Sequence, residues 1–102
     1  MNKFTVELSD VAKTDFFEYI YHIIEVYKAP ATAAKHYSNF IKEFRRLEHN
    51  ADIYQIQTQK YFQKFGINVR RVNYKKMTII YTIHGSMVLI HRIVAASTIT
   101  VI

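Results

Sequence analysis

The sequence predicts an α+β domain of order β-α-α-β-β-β, a twisted antiparallel sheet with a two-helix hairpin packed on one face. Three observations predict it. A short alternating stretch opens the chain, two amphipathic helical stretches follow each other across a very short link, and three runs rich in Val, Ile, Tyr and Thr close it.

The opening stretch Lys3 to Leu8 alternates apolar Phe4, Val6 and Leu8 with polar neighbours, the period of a half-buried strand. Ser9 can then accept free amide hydrogens of a following helix, and Asp10 and Asp15 lie near its positive end. That helix is expected to reach about Tyr27, with Ala12, Phe16, Tyr19, Ile20, Ile23, Ile24 and Tyr27 on its apolar stripe. Pro30 suits the first turn of a second helix, where a missing amide hydrogen costs nothing. Its buried stripe is Ala33, Ala34, Tyr37, Phe40, Ile41, Phe44 and Leu47, so the pair forms a hairpin ending near Leu47. The helical aromatics Phe16, Phe17, Tyr19, Tyr21, Tyr37, Phe40 and Phe44 all read as core.

From His49 to Phe65 the pattern fades into a connecting loop with room for one short strand. Beyond Gly66, strands are expected over Ile67–Tyr74, Met77–Ile83 and Met87–Val94. Lys75-Lys76 separates the first two, and His84-Gly85-Ser86 the last two, with Gly85 free to take positive φ. The result is an antiparallel meander whose second face is partly open. The tail after Arg92, IVAASTITVI, reads as an extension of the last strand or as an exposed strand able to pair with another chain.

At 102 residues, with half of them apolar, the chain reads as one domain, 1–102, able to bury a small core. It has no cysteine, which removes disulfides and thiolate metal sites. The stretch MNKFTVELSD lacks the apolar run of a signal peptide, and nothing approaches the roughly 20 apolar residues of a membrane span. A cytoplasmic protein without a membrane partner is expected.

The net charge of +6 is unevenly placed. Residues 1–50 carry seven Lys/Arg and seven Asp/Glu, whereas residues 51–102 carry seven Lys/Arg against Asp52 alone. A field of that sign either attracts phosphate or an acidic partner, or simply solubilises a basic protein. There is no glycine-rich phosphate loop and no H-E-x-x-H spacing, and the sheet region cannot supply paired carboxylates. No metal or cofactor is expected. Chemistry on the sheet would have to run on Arg, Lys, His and Tyr, which suit charge stabilisation and proton transfer at phosphate.

The candidates sit mostly in GINVRRVNYKKMTIIYTIHG, Gly66 to Gly85, which holds Arg70, Arg71, Lys75 and Lys76 and no acid. Arg70 lies between strand-forming residues. Arg92, between apolar neighbours on the last strand, must either reach water or pair with a helix carboxylate such as Glu18 or Glu25. Lys75 and Lys76 are turn residues, and turns favour Lys through exposure alone. His84 is a solvated turn residue, and His91 is either a packed histidine or a general base. Tyr81 reads as core, and Arg71 as a solubilising cation. Which face Arg70 and Arg92 take is open, because a shift of one residue in register reverses every side chain.

The stretches LSDVAKTDFFEYIYHI, TAAKHYSNFIKEFRRLEHN, NVRRVNYKK and TIIYTIHGSMVLIHRIV, in this order and spacing, resemble the RelE/ParE superfamily of bacterial type II toxins over almost the whole chain. The resemblance implies a small toxin neutralised by a cognate antitoxin that wraps it, in a bacterial cytoplasm. RelE-like members cut messenger RNA in the ribosome with Arg, Lys and C-terminal Tyr or His residues, and ParE-like members inhibit DNA gyrase. Position by position, Arg70 matches the recurrent arginine after the loop, Lys76 the basic position before the next strand, and Arg92 the arginine of the last strand. The basic and Tyr/His tail of the RNA-cleaving members is missing, and Ala95 stands where many relatives place His. The expectation is therefore a ParE-like toxin that acts by binding, with Arg70, Lys75, Lys76 and Arg92 contacting target or antitoxin. The alternative is a metal-independent endoribonuclease using Arg70, Lys76, Arg92 and His91. A homodimer stays open.

Overall fold

A computed structural model describes residues 3–99 and has the expected order of main elements. Strand β1 (Thr5–Leu8) leads to helix α1 (Asp10–Glu25) and helix α2 (Pro30–Asn50), followed after a connecting segment by β2 (Arg70–Tyr74), β3 (Met77–His84) and β4 (Met87–Ala95). The strands form one sheet of order β1-β4-β3-β2. The last three strands make the antiparallel meander, while β1 joins β4 in parallel, Thr5 facing Met87 and Leu8 facing Ile90, so the sheet is mixed. The sheet is therefore not the antiparallel one that the sequence predicts, because alternation marks a strand and its buried face but carries no sign of its direction.

Ser9 starts α1 as its chemistry requires: its hydroxyl accepts the Ala12 amide hydrogen at 3.0 Å and donates to the His91 carbonyl at 2.9 Å. Helix α1 gives way to a turn at Val26, where Lys28 takes a left-handed φ of 51° and reverses the chain in time for Pro30 to open α2. The hairpin then lays Phe16, Phe40, Phe44 and Leu47 against Val72, Tyr74, Ile79, Tyr81, Val88, Ile90 and Ile93 of the sheet. Phe40 is the hub, fully buried, with ring centroids 5.4 Å from Phe16 and 4.6 Å from Tyr74.

Several expected core positions lie outside this core. Phe17, Tyr21 and Tyr27 on the first helical stretch are 59%, 63% and 68% exposed, and Tyr37 and Ala34 on α2 are exposed too. The apolar stripe of α1 is wider than one sheet face and one neighbouring helix can cover, so a part of it is left in water.

The segment 51–69 is more structured than its composition suggests. A 3₁₀ turn (Ala51–Ile53) prolongs α2, an isolated bridge joins Ile56 to Arg70, and a four-residue helix α3 (Lys60–Gln63) packs under the sheet. Strand β2 begins only at Arg70, because Gly66 and Asn68 have φ of 116° and 55° and Ile67 is 85% exposed. The second face of the sheet is covered at one end by Phe62, Val69, Ile80 and Ile99, with Tyr61, Phe65 and Val94 packed around them. Ile99 gets there because β4 stops at Ala95 and a 3₁₀ turn, Ala96–Thr98, folds the chain back, its Ala96 amide donating to the Lys76 carbonyl at 2.8 Å. The tail is thus no extension of β4 up to Ile99, and any strand pairing by Thr100–Ile102 falls outside the described residues.

Two substitutions separate the two kinds of aromatic. Phe40→Ala is expected to lower the unfolding free energy by about 3–5 kcal/mol, and Phe17→Ser to change it by no more than about 0.5 kcal/mol, both read from urea denaturation.

Candidate functional site

The five residues singled out by the sequence occupy three separate places. Arg70 alternates with Val72 and Tyr74, so it sits on the helix side of β2. Its Nη1 donates to the carbonyls of Asp52, at 2.5 Å, and Tyr54, at 3.2 Å, and ties the end of α2 to the sheet edge. Nearby, the Asp52 carboxylate pairs with Lys3, whose hydrogen bond holds its carboxyl below the usual carboxylate range. Tyr81 stands across from Arg70 in the ladder, fully buried, and donates its hydroxyl hydrogen to the Ala51 carbonyl at 2.6 Å. Burial pushes its phenol up, so that hydrogen stays in place.

Lys75 and Lys76 form the β2–β3 turn, at the opposite end of β2. Lys75 takes the left-handed φ of 52° the tight turn requires, a conformation that costs a lysine more than a glycine. Among the described residues neither lysine has an ion pair.

His91 and Arg92 are brought together by a break in the ladder. Ile80 pairs with Arg92 and Tyr81 with Ile90, so His91 is the extra residue of a β-bulge in β4. The bulge turns both side chains toward the second face: the His91 ring lies 5.6 Å from Phe65, and Arg92 stands in line with Ile80 and Arg71 across three strands. Arg70 and Arg92 therefore take opposite faces. Arg71, assigned by sequence to solubility, is the arginine on Arg92's face, with its guanidinium carbon 5.7 Å from the Phe62 ring centroid.

Arg92 pairs with Asp15 of α1, not with Glu18 or Glu25, which lie three and ten residues further along the helix. Its Nε and Nη2 donate to the two Asp15 oxygens at 2.7 and 3.0 Å, a two-pronged contact that raises the guanidinium pKa further. Asp15 also accepts the Ile93 amide hydrogen at 3.0 Å. That amide lies on the β4 edge beyond the last β1 pairing, so the carboxylate supplies the acceptor that a longer β1 would have given.

His91 and His84 both place Nε2 2.7 Å from the Thr82 hydroxyl oxygen. One hydroxyl hydrogen serves only one of the two as donor, so the neutral imidazoles take different tautomers. Burial, followed by the neighbouring His84, lowers the His91 pKa below its ordinary 6.5. A base with a depressed pKa beside an arginine can exchange a proton at a phosphate, and both groups already carry structural hydrogen bonds. Among the described residues no group of three or more metal-ligating side chains comes together.

Two measurements check this account. Asp15→Ala strands both the Arg92 guanidinium and the Ile93 amide and is expected to cost about 2–3 kcal/mol in urea denaturation, against about 1 kcal/mol for Arg92→Ala, whose side chain is partly solvated. Between the lowered His91 pKa and 6.5 the unfolded chain binds a proton that the folded chain refuses. The contribution of neutral His91 is therefore full above about pH 6.5 and lost as the pH falls below it, so His91→Gln should lose less melting temperature than the parent chain between about pH 7 and pH 5.

No protein-family model matches the chain, and no curated protein matches it in sequence. Among solved structures, a chain from a chromosomal ParDE TA system of P. aeruginosa superposes with a TM-score of 0.73 at 16% sequence identity, over 91% of this chain and 96% of that one. The likeness is one of fold, end to end, and at that level the RelE/ParE resemblance carried by the sequence holds.

Proposed function

We propose that this chain is the toxin of a type II toxin–antitoxin pair, held inactive by a cognate antitoxin in a bacterial cytoplasm, and that it is ParE-like, acting by binding a target such as DNA gyrase. The end-to-end fold likeness to a chain of a ParDE TA system carries the reading. Two features support action by binding. No acidic side chain follows Asp52, so the three meander strands offer no paired carboxylates, and the arginines Arg70 and Arg92 are held by backbone carbonyls and by Asp15. The exposed apolar strip of α1, with Phe17 and Tyr21 in water, is a surface that a wrapping antitoxin would cover.

A second reading, a RelE-like ribosome-dependent mRNA endoribonuclease, is favoured by one observation: the bulge that sets His91 beside Arg92. Lys76 is remote from that pair along the sheet, at the β2–β3 turn, and Arg70 is on the other face, so His91 and Arg92 would carry the chemistry with Arg71.

Expression without the antitoxin should arrest growth, and the purified chain should inhibit supercoiling by gyrase. Absence of a growth effect at good expression counts against the toxin reading altogether. Growth arrest with gyrase unaffected and transcripts cut on ribosomes selects the second reading, and His91→Gln should then reduce cleavage at least about a hundredfold.

A further inference from the structure

The open end of the helix hairpin and the β2–β3 turn enclose a cleft of about 410 Å³, lined among others by Tyr19, His22, Tyr27, His36, Lys75 and Lys76. We propose that this cleft binds a small phosphate monoester carrying a flat ring, a ligand of the mononucleotide kind. Its volume lies in the range of small-ligand sites, about 300–1,000 Å³.

The charge arrangement points to an anion. Two lysines and two histidines converge with no carboxylate in the lining. Lys3, Arg46 and Arg92 pair with carboxylates, Lys64 stands over the Tyr61 ring at 4.1 Å and Arg70 donates to carbonyls, whereas Lys75 and Lys76 line the same cleft with no ion pair among the described residues. Gathering unpaired cations in one concavity raises the potential there, and a bound anion offsets that repulsion. Lysine ammonium groups on flexible stems suit phosphate as point charges.

A hydrogen-bonded trio stands at one wall. The Asn39 side-chain amide donates to the Tyr74 hydroxyl oxygen at 3.1 Å, and that hydroxyl lies 2.8 Å from His36 Nδ1. With the Tyr74 hydroxyl, already an acceptor from Asn39, donating its hydrogen to Nδ1, neutral His36 carries its own hydrogen on Nε2, a donor on the side away from Tyr74, and the charged ring carries one there as well. The Thr32 hydroxyl at the same wall adds a further donor. The side chains, not the start of α2, define the site.

The ring preference follows from the remaining walls. Tyr27 is 68% exposed and stands 5.5 Å from the His22 ring in an edge-to-face pair, and Tyr19 stands 6.0 Å from His36 in the same geometry. An exposed tyrosine at the mouth of a cationic cleft offers a face on which a base can stack. Burial and the nearby Tyr74 raise the Tyr19 phenol, so its hydroxyl stays neutral and does not repel a phosphate.

The test uses the purified full chain, followed by ¹H–¹⁵N chemical shifts during titration with AMP, inorganic phosphate or a triglutamate peptide to about 10 mM. AMP is expected to shift the amides of His22, Thr32, Lys75 and Lys76, and to bind at least about fivefold tighter than inorganic phosphate. The double substitution Lys75→Glu and Lys76→Glu should weaken AMP at least about tenfold, while the equally charged Lys42→Glu with Arg45→Glu, both on exposed positions of α2, should change it less than about twofold. The proposal is overturned by AMP failing to bind, by AMP binding no tighter than inorganic phosphate, by equal effects of the two double substitutions, or by the peptide binding where AMP does not. Growth arrest does not enter the measurement, so its outcome is separate from that of the toxin reading.

Discussion

The exposed edge of β4 beyond Ile90 is the constraint from which the rest of the structure follows. Strand β1 is four residues long and its ladder ends at Leu8 opposite Ile90, although β4 runs on to Ala95. The unpaired groups past that point would invite another strand, and burying them unpaired would cost about 1–3 kcal/mol each. The start of α1 supplies the partners instead. The Ser9 amide donates to the Ile90 carbonyl at 2.9 Å, the Ser9 hydroxyl to the His91 carbonyl, and Asp15 accepts from the Ile93 amide and holds Arg92. One helical turn and a half thereby replaces a strand. The same contacts seat α1 on the sheet, and with it α2, so the helix layer and the core around Phe40 are set by how that edge is closed.

The bulge belongs to this closure. Inserting His91 between Ile90 and Arg92 lets Ile90 and Ile93 both face the helices, three residues apart where a regular strand would need two or four. In exchange His91 and Arg92 come out together on the second face. Packing on one face and the pair of titratable groups on the other are consequences of one irregularity.

This explains what could be read from the sequence and what could not. Ser9 as a cap, Pro30 in a first helical turn and Gly85 at positive φ are local chemistry, and each is where local chemistry puts it. The order of main elements follows from periods of two and three to four along the chain. The only local sign of the bulge is the pair of polar residues between Ile90 and Ile93, which a regular strand also allows with the two isoleucines on opposite faces. Hence neither the faces of Arg70 and Arg92 nor the choice of Asp15 over Glu18 or Glu25 could be assigned. The helix α3 escaped for another reason: four residues make one turn and show no period, and only Tyr61, Phe62 and Phe65 hinted that the loop buries something. The exposed Phe17 and Tyr21 show the limit of reading a helical stripe as core, since a stripe specifies a face and the neighbours decide how much of it is covered.

The excess positive charge of the second half also changes meaning once folded. As a sequence feature it is one basic block, whose summed field would favour any anionic partner. In the fold its members are divided by role. Arg70 braces the end of α2, Arg92 completes the β4 edge, Arg71 lies against Phe62 and Lys64 against Tyr61. A guanidinium already engaged by a carboxylate contributes little further attraction, because a pair presents a dipole rather than a charge. Lys60, Lys75 and Lys76 have no such partner among the described residues, the last two on the turn where Lys75 accepts a left-handed backbone. The arginines that the chain's pattern brings forward first are thus the ones the fold engages in its own packing, while the lysines of the β2–β3 turn line the hairpin cleft with no ion pair among the described residues.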